Sequence, residues 1–255
     1  MGRLPRLGVN IDHIATLREL RGTPYPSLLQ AAQICESAGA EQITVHLRED
    51  RRHIQDEDVR VLRAGLKVLL NLEMSVADSI VRFAVKNRPD WACLVPEKRK
   101  EVTTEGGLDV LKNRAKVARV ISKLHKAGIR VSLFVEPDLR VVQAAHDLGA
   151  DAVELHTGRY CLASQQAFGK KSSKISGTEF TRIYQAAIVS ASLGLHVHAG
   201  HGFDFENVRS ISRLRDEKGL SLIEEFNIGH SIVCRAALVG LDRAVREMLT
   251  ALVES

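Results

Sequence analysis

Two carboxylates and a set of histidines stand out, placed where short apolar runs stop. Glu73 closes Leu69-Leu70-Asn71-Leu72-Glu73, and Glu154 sits inside Ala152-Val153-Glu154-Leu155-His156. Asn71 and Glu73 are two residues apart on a strand and so share a face. A carboxyl group among apolar neighbours keeps its proton to higher pH, which suits general acid or base work. A structural glutamate paired with Arg or Lys across the interior looks the same in sequence, so for either acid alone both readings stay open. His46 and Arg48 alternate in Ile43-Thr44-Val45-His46-Leu47-Arg48, with His53 just beyond Arg51-Arg52. That spacing sets an imidazole for proton transfer beside a guanidinium fork for an anion. Seven of the ten histidines, all but His125, His146 and His196, fall at or just past the end of such a run. One histidine near a core is commonly a packing residue; seven in equivalent places indicate a site.

Gly200-His201-Gly202 and Gly229-His230-Ser231 put small residues where backbone must approach a ligand closely. The second runs straight into a helix, with Ser231 as the expected N-cap, and free N–H groups at a helix start bind anions. Glycines that merely make tight turns are the bland explanation; two such sequences in succession favour phosphate. The competing chemistry is metal. His196-Val197-His198 is an H-x-H pair, and with His201 it could serve a metal-dependent hydrolase on a barrel. Such enzymes carry the pair on the first strand and an Asp on the eighth, whereas Asn10 and Asp12 occupy the first run here and His230 follows the last.

The elements that must position these residues alternate along the chain. Strands are expected at 7–10, 42–46, 68–73, 92–95, 130–134, 152–156, 196–198 and 225–228. Helical periodicity lies between them, as at 28–38, 59–66, 76–85, 117–125, 141–148 and 184–193. Several helices finish in glycine, as in Ala38-Gly39-Ala40 and Leu148-Gly149-Ala150, the residue that ends a helix in the left-handed conformation. Eight strands each followed by a helix predict an α/β fold, a single (β/α)8 TIM barrel over residues 1–255. In that fold the active site lies at the C-terminal face of the strands. Residues 231–253 read as one long amphipathic helix, 96–108 as a lid, and 160–177 as an irregular, mobile segment.

Composition narrows the function classes. The 255 residues are 45% hydrophobic and 26% charged, ordinary for a globular chain. Cys35, Cys93, Cys161 and Cys234 form no C-x-x-C pair, which argues against a zinc knuckle or a disulfide framework and fits a reducing cytoplasm. No apolar stretch approaches the roughly twenty residues of a membrane span, and the N-terminus has no signal-peptide pattern. A net charge of +5 admits nucleic acid or a small anionic substrate. The basic segment 112–119 has helical spacing, so its charges read as an outer face. With 4% aromatics the chain lacks a stacking platform for single strands, so a nucleic-acid module is the weaker hypothesis.

With these residues placed, the chain closely resembles the pyridoxine 5′-phosphate synthase family over nearly its whole length. The resemblance is carried by GVNIDHIATLR (8–18), TVHLREDRRH (44–53), NLEM (71–74), CLVPEKRKEVTTEGGLD (93–109), ELHTG (154–158), AGHG (199–202) and NIGH (227–230). It implies a barrel enzyme that condenses 3-amino-2-oxopropyl phosphate with 1-deoxy-D-xylulose 5-phosphate. The products are pyridoxine 5′-phosphate, inorganic phosphate and water, and neither metal nor organic cofactor takes part. It assigns acid/base roles to His46, Glu73 and His201, and stabilisation of charged intermediates to Glu154. Asn10, Arg21, Gly202, Gly229 and His230 are expected to hold the amino ketone phosphate. Asp12, His13, Arg48, His53 and Thr103 are expected to hold the sugar phosphate. A homo-octamer in the cytoplasm is implied, with no nucleic-acid or membrane partner. His198 stands where relatives have Asn, which predicts an altered neighbourhood for His201, and residues 160–177 and 209–224 are longer than usual.

Overall fold

Eight runs become strands: β1 Arg6–Asn10, β2 Gln42–His46, β3 Leu69–Met74, β4 Trp91–Leu94, β5 Arg130–Val135, β6 Ala152–His156, β7 His196–Gly200 and β8 Glu225–Ile228. In the computed structural model, which describes residues 4–97, 103, 106–166 and 174–253, they form a closed parallel barrel in sequence order. β1 closes it by pairing with β2 through Gly8–Gln42 and with β8 through Gly8–Asn227. The bounds of β2, β6 and β8 match expectation residue for residue. β7 runs two residues past its expected end, which takes His198 off the rim.

Outward-pointing strand residues such as Leu7, Val9, Ile43, Val45 and Leu72 are fully buried under the helices. Removing each such side chain from water contributes about 1.5–3 kcal/mol. The inner face is unusual in being polar: Gln42, Thr44, Asn71, Glu154, His198, Glu225 and Asn227 are all buried. Glycines make room for them. A Cβ on Gly8 would overlap the Asn227 carboxamide, and one on Gly200 would overlap the Glu154 carboxylate. Long polar side chains can therefore cross the barrel only because two facing positions have none.

The helices are α1 Asp12–Glu19, α2 Leu28–Ala38, α3 Asp56–Gly65, α4 Asp78–Asn87, α5 Arg114–Lys126, α6 Leu139–Asp147, α7 Gly158–Gln166, α8 Lys174–Ser192, α9 Val208–Ser212, α10 His230–Val239 and α11 Leu241–Val253. α2 begins where the Ser27 hydroxyl accepts from the Gln30 N–H at 3.3 Å and ends at Gly39 with φ 110°. α1 has no strong sequence signal because only Ile14 and Ala15 on it are buried.

Three expectations need correction. The terminal helix is two helices, broken at Gly240 (φ 88°, ψ 152°), which turns α11 back toward α2. Residues 160–177 are largely helical where described: α7 packs Tyr160, Cys161 and Ala163 inward, and the Tyr160 hydroxyl donates to the Asn207 carbonyl at 3.0 Å. Ser231 is not an N-cap; Gly229 occupies that place and Ser231 lies in the first turn of α10. Most of the expected lid, residues 98–102 and 104–105, lies outside the described residues, as do 167–173. No described helix is long and apolar enough to cross a membrane.

Candidate active site

The strand ends open into a cavity of about 1060 Å³. His46, Glu73, Glu154 and His201 all line it, and so do Asn10, Asp12, His13, Gly202, Gly229 and His230. Each is delivered by a strand end or by the turn after it, which is why residues remote in sequence meet.

At the β1–β2 side, Asp12 is clamped. Its N–H donates to Asn10 Oδ1 at 2.9 Å, its Oδ2 accepts from Asn10 Nδ2 at 3.1 Å, and its Oδ1 accepts from the His46 N–H at 2.9 Å. Burial raises the Asp12 carboxyl to about 6, against the opposing pull of the His46 N–H and charge. The His46 ring lies between two carboxylates, with Nε2 3.2 Å from Glu97 Oε1 and Nδ1 3.8 Å from Glu73 Oε2. Burial works to raise Glu97, but the bonds from His46 and from the Glu49 N–H outweigh it and hold that carboxyl low. Glu97 thus stays charged and orients His46 toward the cavity.

Glu73 keeps 17% of its side-chain surface facing the cavity. Burial, then the charges of Glu154 and Asp12, push its carboxyl well above the usual range. Glu154 is raised to about 7 by burial and by Glu225, while bonds from Asn227 Nδ2 at 2.9 Å and from Cys93 work the other way. Three acids whose proton affinity is raised, chiefly by burial, therefore share one cavity.

His201 sits at φ 77°, a left-handed backbone that β-strand residues rarely adopt. Thr157 pins it there, its hydroxyl lying 2.8 Å from the carbonyls of Gly200 and His201. Strain held by neighbours is common at functional positions. Burial and the adjacent His156 lower the His201 imidazole below its usual range, so it is neutral and able to accept or relay a proton. Its ring stands 4.9 Å from that of His156, which is held by Glu136 at 3.0 Å.

The adjoining rim, where β8 meets β1, suits an anion. The N–H groups opening α10 follow Gly229, whose Cα packs against Asn10. His230 stacks edge-on to His13 at 5.1 Å, and burial lowers the His13 imidazole.

A family model described as pyridoxal phosphate biosynthesis protein PdxJ matches residues 7–254. The chain belongs to that family. It is an enzyme of the pyridoxine 5′-phosphate synthase group, similar to curated members along its full length. It is 52% identical to the synthase of Trichlorobacter lovleyi, covering 97% of this chain and 98% of that one. It is 51% identical to that of Magnetococcus marinus, covering 95% and 94%. Among solved structures, a phosphoribosyl anthranilate isomerase from Thermococcus kodakaraensis superposes with a TM-score of 0.61 at 10% identity, over 99% of this chain and 100% of that one. That likeness speaks for the barrel fold alone.

Four expected binding residues stand apart from the cavity wall. Arg21 is exposed, in the turn that follows the end of α1 at Glu19. Arg48 leans on Asp50 at 3.3 Å, and His53 stacks 6.2 Å from His46 with its imidazole lowered to about 4 by burial. The Thr103 hydroxyl lies 3.3 Å from Glu136 Oε1 and accepts from the Gly106 N–H at 3.1 Å. The metal set His196, His198 and His201 is not assembled. His196 is exposed at the opposite end of β7 and bonded to Glu224, His198 is buried against Glu225 and Trp91, and only His201 reaches the cavity. For the same reason His198 alters the surroundings of Glu225, not those of His201. The ligand atoms that do gather are those of Asp12, His46 and Glu73, all within 4.8 Å of one another.

Sequence reasoning gave no role to Glu97 or Glu136 and counted His156 only as one of the histidines at run ends. Glu97 and His156 lie in the matched stretches VPEKR and ELHTG, but their partners are 51 and 20 residues away, which no local spacing reveals.

Proposed function

We propose that the enzyme condenses 3-amino-2-oxopropyl phosphate with 1-deoxy-D-xylulose 5-phosphate to give pyridoxine 5′-phosphate, inorganic phosphate and water. The observation that carries this reading is the convergence of His46, Glu73, Glu154 and His201 on one cavity, with burial raising the proton affinity of both acids. Joining an amine to a ketone expels water and leaves a carbon–nitrogen double bond. Ring closure then needs a carbon deprotonated next to that bond to add to the remaining carbonyl, forming a carbon–carbon bond. The carbonyl oxygen is lost as water, and phosphate is expelled in a separate elimination. Glu73, beside His46, is the principal base. His201 on the far wall returns protons to departing oxygen, and Glu154 beneath them balances cationic imine nitrogen. Positioned proton transfer of this kind contributes about 10²–10⁴-fold per group.

Two phosphorylated substrates need two anion sites. The α10 start with Gly229, His230 and Gly202, together with Asn10, suits the amino ketone phosphate. Asp12 and His13, which line the cavity, would hold the sugar phosphate together with Arg48, His53 and Thr103, which must turn toward it on binding, with Arg48 supplying the cation. Closure of 96–108 over the cavity would shield the imines from water. The reading uses no metal and no organic cofactor. It takes the chain to be one domain and a cytoplasmic homo-octamer. The exposed Leu17, Leu20, Tyr25 and Leu238, apolar surface left uncovered on one chain, support assembly.

Incubation with both substrates, following pyridoxine 5′-phosphate and released phosphate together, tests the proposal. Equal amounts of the two products are expected. Phosphate release without ring formation, or no turnover, would refute it.

A further inference from the structure

Beneath the cavity lies a second layer of buried polar groups that the proposed chemistry does not use. Glu225 of β8 is fully buried. Its Oε2 accepts from Arg6 Nε at 3.2 Å and Nη2 at 3.0 Å, and its Oε1 accepts from Gln42 Nε2 at 2.5 Å. Asn227, two residues further up the strand, faces both layers. Its Nδ2 donates to Glu154 Oε2 at 2.9 Å and to Glu225 Oε1 at 3.4 Å. Its Oδ1 accepts from the Thr44 hydroxyl at 2.8 Å and from Gln42 Nε2 at 3.2 Å. The oxygen meets only donors and the nitrogen only acceptors, so the network fixes which way the carboxamide points. The two glutamates thus share one amide nitrogen and lie within about 6 Å of each other, close enough to interact strongly in a water-free interior.

We propose that Glu225, held by Arg6 and bridged by Asn227, is a positioning residue for Glu154, fixing both the direction of its carboxylate and the charge against which it ionises. This rests on the reading of Glu154 as a member of the acid/base set. The groups facing Glu225 come from four strands besides its own. They are Arg6 of β1, Gln42 of β2, Glu154 of β6, and His198 of β7, whose Nδ1 is 3.6 Å from Glu225 Oε1. Burial lowers the His198 imidazole, so it adds no positive charge, and Arg6 is the cation of this group. Glu224 and His196 act on the same layer from the lower rim. Above, Glu154 also faces Cys93 and Glu73, and Glu73 faces Asp12. Trp91, buried and edge-on to His198 at 5.2 Å, helps seal the layer from water. Asn227 therefore acts as a strut between the layers and Glu225 as a fixed counter-charge beneath the cavity.

Infrared titration of the full-length protein tests this directly. The protonated-carboxyl band missing from Glu154→Gln belongs to Glu154, and its midpoint is then followed in Glu225→Gln. Removing the lower charge should move that midpoint down by about one pH unit, a tenfold loss of proton affinity. Because Glu225→Gln leaves Arg6 buried without its partner, the Arg6→Gln/Glu225→Gln double variant, which lacks both charges, is measured as well. It should move in the same direction by less, since the lost cation offsets part of the lost anion. Lost packing alone would lower Tm without moving the midpoint. An unchanged midpoint in either folded variant overturns the proposal. The pH–rate profile recorded in parallel separates the two readings. A band that moves while the rate profile stays fixed upholds the coupling and removes Glu154 from the acid/base set.

Discussion

Glu154→Gln should make the enzyme inactive and, above neutral pH, more stable. The carboxyl ionises near 4.5 in an unfolded chain and at about 7 in the folded one, because burial and Glu225 oppose its charge. Between those values the native state holds a proton that the unfolded chain has released. Stability therefore falls as pH rises across that window and levels off above it. The displacement is about two and a half pH units at 1.36 kcal/mol each, so the ionised carboxylate costs about 3 kcal/mol at pH 8. Glutamine does not titrate, and its carbonyl can still accept the Asn227 N–H. For a chain of this size 1 kcal/mol corresponds to about 2–4 °C, so the variant should melt about 6–12 °C higher at pH 8. Near pH 5, about half a unit above the unfolded value, the gain should shrink to about a quarter of that. Thermal unfolding of both proteins at the two pH values decides it. Equal melting at pH 8, or the same gain at both, would show that Glu154 bears no pH-dependent cost of ionisation.

Gly229→Ala should lower both Tm and substrate affinity, since the new Cβ would stand 2.8 Å from the Asn10 carbonyl and 2.9 Å from its Cβ. Neither atom is the loose end of a side chain, so about 1–3 kcal/mol is lost; thermal unfolding and KM check it. Arg18→Gln removes the fork on Asp58, with bonds of 2.6 and 2.8 Å, and the tether to the His53 carbonyl. It should destabilise by about 1–3 kcal/mol, seen in urea unfolding. Exhaustive chelation should leave turnover unchanged. If activity disappears and returns with a divalent ion, Asp12, His46 and Glu73 form a metal centre instead.

The rim of the site was legible in the sequence because strand ends are marked by apolar runs, and whatever follows them must face the cavity. His46, Glu73 and His201 end or follow such runs, and with Glu154 from within β6 they line one cavity. Depth was harder to judge: a two-residue extension of β7 moved His198 from rim to interior. Arg21 lies exposed past the end of α1 and outside the cavity lining of one chain, a placement that the run of apolar residues before it does not reveal. The break at Gly240 was hidden by apolar periodicity that continues on both sides, since one glycine in a helix costs only about 1 kcal/mol. The Arg6–Glu225–Asn227–Glu154 network joins strands 73 to 219 residues apart, and only the closed barrel brings them together.

Binding and turnover measured side by side in Glu73→Gln bear most directly on the central claim. The variant should fold and bind both phosphorylated substrates nearly as the parent does, while pyridoxine 5′-phosphate formation falls by about 10²–10⁴-fold. Near-normal turnover with intact binding would contradict the role of Glu73 and, with it, the proton-transfer centre proposed for this cavity.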